Sequence, residues 1–283
     1  MRSLTIDDAG PLLSVQDAGR PGWAHLGVPR AGALDRPAAD LANRLVGNSA
    51  ATAVLETTLG GATLTVSGAA VLAVTGAEAS VRVDGRPVAF AAPFAVPAGA
   101  SVSVGRAVRG VRSYVAVAGG VAPEEVLGSR STDTLAQVGP GLLHDGDVVP
   151  LGDPVGRPAA SDLGEARGFG RPAVLGLHLG PRDDWFADAL ATLTSSTYTV
   201  TGEANRVGLR LEGPRLARAR EGELSSEGIV LGAVQVPPDG RPVVFLADHP
   251  TTGGYPVVGV VDPADLWQCA QLRPGEQVRF SRR

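Results

Sequence analysis

Short apolar runs alternate with glycine and proline turns along most of the chain. Ala62–Val66, Ala70–Thr75, Ser80–Val83, Pro87–Phe90, Ser101–Val104 and Arg112–Ala118 alternate or run apolar between such turns, which is the pattern of short β-strands. The second half continues the style at Ala173–Leu179, Thr197–Thr201, Val207–Leu211, Val243–Ala247 and Gln277–Phe280. Strands of this length and spacing predict barrels or sandwiches rather than a parallel α/β sheet. The expected class is mainly β with a few short helices.

Three segments carry helical spacing instead. Asp35 is placed to cap a helix running to about Val46, with Ala38, Leu41, Ala42 and Leu45 on one face and Gly47 as its stop. A second helix is expected over about Arg182–Leu193, with Phe186, Leu190 and Leu193 on one face. A third has Asp262 as N-cap, Pro263 in its first turn and Asp265 three residues on, and ends before Pro274-Gly275. Their apolar faces read as core.

The heptapeptide from Asp84 to Phe90 (Asp-Gly-Arg-Pro-Val-Ala-Phe) nearly repeats from Asp239 to Phe245 (Asp-Gly-Arg-Pro-Val-Val-Phe). Asp-Gly before a strand is a common hairpin signal, so the match is either chance or the trace of a duplication into two similar barrels. Gly152–Arg171 has little pattern and reads as a linker. The expected division is therefore 1–151, linker 152–171, and 172–283.

Composition narrows the function. A chain of 283 residues makes one large domain or two small ones, and with 44% apolar but 4% aromatic residues its core must be mostly Val, Leu and Ala. The net charge of −4 speaks against nucleic-acid binding. All 25 basic residues are Arg. A Walker A lysine, a Schiff-base lysine and a biotinyl-lysine on this chain are thereby excluded. The single cysteine, Cys269, rules out an internal disulfide and a thiolate zinc cluster. His25, His144, His178 and His249 show no ligand spacing, so no metal site is expected. Asp7 and Asp8 sit where a signal peptide would be apolar, and no apolar run approaches a membrane span. A cytoplasmic location without membrane contact is the expectation.

No G-x-S-x-G elbow, dinucleotide fingerprint or phosphate loop is present. The richest chemistry lies near the C-terminus. Strand Val243–Ala247 leads into Asp248-His249-Pro250-Thr251-Thr252-Gly253-Gly254-Tyr255-Pro256. Thr251, Thr252, Gly253 and Gly254 offer hydroxyls and backbone N–H groups without bulk, either a cradle for a small carboxylate, carbamoyl or phosphate group or a plain glycine turn. Gln235 and Gln271 carry amides that match an amide-like substrate. Either His249 or Asp248 is placed as a base. Upstream, Asp17 and Arg20 either pair to order their loop, or Arg20 offers its fork to an anion. Arg206 and Arg210 alternate along an expected strand, which puts them on one face, either for an anion or as solvated charges.

At these residues the chain resembles the family known variously as allophanate hydrolase subunit 2, the C component of 5-oxoprolinase and biotin-dependent carboxyltransferase, which includes the antagonist of the sporulation-kinase inhibitor Kip. The marks are Gln16-Asp17-Ala18-Gly19-Arg20, Gly27-Val28-Pro29 with Gly32 and Asp35, Ala42-Asn43 with Gly47-Asn48, and Thr75-Gly76-Ala77. Gly119-Gly120, Asn205-Arg206-Val207-Gly208, Gly232 to Pro237, Thr251 to Pro256 and Ala270-Gln271 follow. Val207 replaces the usual Met after Asn-Arg, and Leu209 an aromatic residue. The resemblance runs from about Ile6 to Phe280 and implies two cyclophilin-like β-barrel units. It also implies a heteromer with a protein of the allophanate hydrolase subunit 1 type (the B component of 5-oxoprolinase), and with a protein of the A-component type, acting on a small-molecule substrate.

The leading expectation is a subunit of a 5-oxoprolinase, in which ATP, bound with a partner, activates the lactam of 5-oxoproline and water opens it to glutamate. The alternatives are a carboxyltransferase component whose biotin is carried on another chain, acting on a urea-like acceptor, and a non-enzymatic regulator of the partner. Asp248, Thr252, Tyr255 and Gln235 are the expected catalytic residues. Arg20, Asp17, Arg206, Thr251, Gly253, Gly254 and Gln271 are the expected substrate contacts, in a shared cleft. Tyr255 is expected to donate to a developing oxyanion.

Overall fold

The computed structural model describes residues 2–158, 172–222 and 224–283. They divide into two compact units, one of residues 2–20, 31–133 and 137–158, the other of 21–30, 134–136 and the described residues from 172 to the end. Most of the linker expected at 152–171 lies outside the described residues.

The first unit holds β1 (Ser3–Asp8), β2 (Leu13–Gln16), β3 (Val54–Thr58), β4 (Thr63–Val66), β5 (Ala70–Glu78), β6 (Val81–Val83), β7 (Arg86–Val88), β8 (Phe94–Val96), β9 (Ser101–Val104), β10 (Arg109–Val117) and β11 (Val148–Pro150). They build a six-stranded sheet in the order β11-β1-β4-β9-β6-β7 and a five-stranded one in the order β2-β3-β10-β5-β8, every pair antiparallel. A single cluster drawn from both sheets, including Leu4, Ile6, Leu13, Leu55, Leu64, Leu72 and Val102, forms the core. These are the alternating inward positions of each strand.

Helix α1 (Arg36–Leu45) lies on the five-stranded sheet against β5 and β10. Its start is as expected: Asp35 accepts a hydrogen bond from the Ala38 N–H at 3.0 Å. Its buried face is Ala39, Ala42, Asn43 and Leu45, with Ala38 and Leu41 at the margin. Gly47 ends it with φ +80°, and a Cβ there would sit 2.6 Å from the Arg157 carbonyl oxygen.

The second unit contains β12 (Ala173–Leu179), α2 (Ala189–Ser195), β13 (Thr197–Val200), β14 (Gly208–Glu212), β15 (Glu227–Gly228), β16 (Ala233–Gln235), β17 (Val243–Phe245), β18 (Thr252–Gly253), β19 (Val257–Val261), α3 (Leu266–Cys269) and β20 (Gln277–Arg282). Seven of the strands close a barrel in the order β12-β19-β16-β17-β14-β13-β20, shut by the parallel pairing of β20 with β12. β15 and β18 form a separate two-stranded ribbon. The protein is mainly β with short helices, as the pattern predicts. Among the described residues no helix is long and apolar enough to cross a membrane.

Two expected helices are shorter than their patterns. The segment from Arg182 begins as a 3-10 turn at Asp183–Trp185 and then breaks. Phe186 is extended and bridges to Arg218, the Ala187 N–H bonds to the Ala217 carbonyl, and Asp188 turns left-handed at φ +51° before α2 begins. Strand-like pairing with a distant segment overrides the local period. Asp262 does cap, accepting the Ala264 N–H at 2.9 Å, but it caps a turn, and α3 starts only at Leu266.

The repeated heptapeptide takes two conformations. Asp84 and Gly85 both have positive φ and join β6 to β7 in a two-residue hairpin, so the strand resumes at Arg86. Asp239 instead accepts the Arg241 N–H, Gly240 bonds back to Pro237, and β17 begins only at Val243. β7 is a sheet edge, whereas β17 lies between β14 and β16.

Candidate functional site

The threonine–glycine loop is held by the ribbon and by Gln235. Gly228 pairs with Thr252 and Glu227 with Gly253, and the Ile229 N–H donates to the Thr251 carbonyl at 2.9 Å. Gln235, buried on β16, donates from Nε2 to the Tyr255 carbonyl at 3.1 Å. Among the described residues none donates to its Oε1. A Cβ on Gly253 would lie 2.8 Å from that Nε2 and 3.3 Å from Ile229 Cδ1. A methyl at 253 would therefore push the Gln235 amide aside, while the backbone angle itself suits any residue. Thr252 is exposed, Tyr255 is 45% exposed, and Thr251 and Gly254 are half-buried. The loop thus presents one hydroxyl and one phenol outward over a fixed amide.

Asp248 is different. It is fully buried, and both its oxygens are taken by Arg206, Nη2 to Oδ1 and Nε to Oδ2, each at 2.9 Å. Oδ2 also accepts the N–H and hydroxyl of Thr134, at 2.9 and 2.6 Å. A carboxylate with four donors and no exposure holds segments together; it is poorly placed to take a substrate proton. The same pairing corrects the expected role of Arg206. Arg206 lies ahead of β14, buried against Asp248, while Arg210 is exposed and 3.6 Å from Glu203, so the two do not form one anion-binding face. His249 is buried, its ring beside Phe245, with Nδ1 2.8 Å from the Pro250 carbonyl. A carbonyl can only accept, so Nδ1 is the donor in that contact. Gln271 is buried just after α3. Burial pushes the nearby Cys269 thiol up to about 12, so it is no nucleophile.

Asp17 and Arg20 belong to the first unit. Asp17 Oδ1 accepts from the Gly19 N–H and the Ser129 and Ser131 hydroxyls, and Oδ2 from the Arg130 N–H, all within 2.6–2.7 Å. Arg20, 1% exposed, donates to the Val126 and Ser131 carbonyls. Both residues clamp the 126–131 segment. These separate contacts order the loop, and the Arg20 guanidinium is not offered to solvent. The same unit buries Glu56, whose Oε2 accepts from Tyr114 Oη and the Leu34 N–H while Tyr114 Oη accepts the Asp35 N–H. Burial first, then the Glu56 and Asp35 charges, raises the Tyr114 phenol well above its usual value.

Sequence reasoning missed five residues here. Thr134, Ser129 and Ser131 lie in a hydroxyl-rich run after Gly128 that no strand or helix pattern explains, and that run was the available signal. Arg182 and Glu227 were missed as a pair: Nε is 3.1 Å from Oε2, and Nη2 meets Oε1. Their side chains are 34% and 35% exposed, and Glu227 stands opposite Gly253 in the ribbon. The guanidinium hydrogen bond holds the Glu227 carboxyl below its usual range. Among the described residues no group of three or more His, Cys, Asp or Glu is arranged to hold a metal ion.

Comparison with known proteins gives this geometry its setting. The chain is 37% identical over 285 residues to the C component of 5-oxoprolinase from Escherichia coli (strain K12), a match covering 98% of this chain and 90% of that protein. It is 31% identical to urea amidolyase of Saccharomyces cerevisiae, covering 98% of this chain but 16% of that enzyme. The solved structure of TTHA0988 superposes with TM-score 0.89 at 38% identity, and that of the Kluyveromyces lactis urea carboxylase with TM-score 0.91 at 31%. The chain covers 99% and 98% of itself in these matches, but spans only 55% of the first protein and 27% of the second. The family described as carboxyltransferase domain, subdomain A and B, matches residues 26–282. This chain belongs to that family.

Proposed function

We propose that the chain is one component of an ATP-dependent 5-oxoprolinase and works with a partner of the allophanate hydrolase subunit 1 type. The observation that carries this is the nearly end-to-end match to the E. coli 5-oxoprolinase component, against 16% coverage of urea amidolyase. In the reaction two waters are consumed: one adds to the lactam carbonyl, the ring C–N bond breaks and the nitrogen takes a proton, giving glutamate, and the other completes the hydrolysis of ATP to ADP and phosphate. The second unit's loop suits the amide end of such a substrate. Gln235 Oε1 accepts the lactam N–H, and the Thr252 and Tyr255 hydroxyls donate to the carbonyl oxygen as it gains charge. Asp248 and Arg206 fix the loop rather than touch substrate.

Neither arginine placed in the expected site is open to the phosphates of ATP. Lysine is absent, and Arg20 and Arg206 are buried on their own partners. A carboxyltransferase component acting on a urea-like acceptor is the second reading, favoured by the family and by the TM-score of 0.91 with urea carboxylase. Its biotin would sit on another chain.

The test is release of glutamate and ADP from 5-oxoproline and ATP by this chain co-expressed with proteins of the A-component and B-component types. Equal amounts of the two products, lost when this chain is omitted, are expected. A folded complex without turnover would overturn the reading. Activity on a urea-like acceptor that avidin abolishes would establish the second.

A further inference from the structure

The proposed substrate carries a carboxylate as well as a lactam, and neither arginine first expected to bind an anion is available. Arg20 clamps the 126–131 carbonyls, and Arg206 is neutralised by Asp248. Arg182 meets the requirement that they do not. It already holds a carboxylate through Nε and Nη2, the two-pronged geometry a guanidinium uses for a carboxylate ligand. It does so at one-third exposure, where an ion pair contributes little and exchanges readily. The carboxylate it holds belongs to the ribbon. Glu227 is the cross-strand partner of Gly253, and Gly253 lies directly against the Gln235 amide. A guanidinium and an amide whose acceptor oxygen no described residue engages are thus linked through one pair of facing residues.

We infer that Arg182 is the specificity residue for the carboxylate of a small amide-bearing acid, and that Glu227 is an internal carboxylate which the ligand displaces. The inference rests on the lactam reading of the loop and adds the second half of the recognition. Asp184, the other acidic group beside Arg182, is held 2.5 Å from Arg220, which leaves Glu227 as the competitor. Lysine at position 182 would keep the charge and lose the fork, so Arg182→Lys separates bidentate recognition from simple attraction.

The test follows the backbone amides of Thr252 and Gly253 and the Arg182 Nε–H by NMR in the full chain. The titrants are the 5-oxoproline anion and 2-pyrrolidinone, the same ring without its carboxylate. In the wild type, 5-oxoproline is expected to shift all three signals and 2-pyrrolidinone to leave the Nε–H unmoved. Glu227→Gln should lower the half-saturating 5-oxoproline concentration by about three-fold, since a weak exposed pair no longer competes. Arg182→Gln, and to a smaller degree Arg182→Lys, should raise it. Equal half-saturation in wild type and Glu227→Gln, an equal response to both titrants, or no response to 5-oxoproline would overturn the inference. The readout needs no turnover. A complex that fails the glutamate assay while the titration succeeds removes the oxoprolinase reading and keeps Arg182 as a carboxylate site, and the converse result removes only the role of Arg182.

Discussion

Two of the second unit's arginine–carboxylate pairs share their chemistry and differ in setting. Arg206 and Asp248 are 3% and 0% exposed, and two further donors from Thr134 saturate the carboxylate. Arg182 and Glu227 are one-third exposed and complete within themselves. Burial decides what each pair can do. Charges removed from water must stay paired, so the first pair is an anchor. Charges still wetted change partners at little cost, so the second is able to recognise. Residue type alone had put Arg206 and Asp248 at the chemistry and passed over Arg182 and Glu227.

The largest effect should come from breaking the anchor. Arg206→Gln leaves Asp248 buried with half its donors gone, and urea unfolding should show a loss of about 3–5 kcal/mol. A loss below about 1 kcal/mol would mean that Asp248 is solvated in solution and the comparison is wrong. Next comes the first unit's buried network. Tyr114→Phe removes the donor to Glu56 and the acceptor of the Asp35 N–H, at a cost of about 1–3 kcal/mol. It should also change the pH profile. The Tyr114 phenol is raised on folding, so its contribution is intact below its ordinary value of 10.0 and declines as pH rises from there towards the higher folded value. Melting curves of the variant should lack that alkaline decline.

Gly253→Ala should be milder for stability and sharper for function. The new methyl displaces the Gln235 amide and its bond to Tyr255, costing about 1 kcal/mol. Glutamate release by the complex should fall with it, and unchanged turnover would detach Gln235 from the site. Smallest of all, Glu227→Gln should leave the urea midpoint where it is, because the pair it breaks is wetted. A clear drop in midpoint would make Arg182–Glu227 a second anchor.

What the chain made legible was local. The Asp35 cap, the Gly47 stop and the Asp84-Gly85 hairpin each depend on residues within a few positions, and each is where the pattern puts it. The threonine–glycine loop was legible for the same reason. The break at Phe186 was hidden because its bridge to Arg218 lies far along the chain, as was the parallel closure of β20 on β12. At the site, Gln235 was legible as an amide, but its use in holding the Tyr255 carbonyl was not. The partners of Arg206 and Arg182 sit 42 and 45 residues away, in segments whose approach depends on barrel order. Arg206 and Arg210 looked alike along the expected strand, yet the first is buried on Asp248 and the second is exposed beside Glu203.

Native-state hydrogen exchange on the unmodified chain tests the contrast most directly. The Thr134 N–H donates to the buried Asp248 and the Ile229 N–H to the Thr251 carbonyl of the ribbon. If the first pair is an anchor and the ribbon can open, Thr134 exchanges only at rates near those of global unfolding and Ile229 orders of magnitude faster. Equal protection at both, or a faster Thr134, would contradict the division between anchor and recognition site.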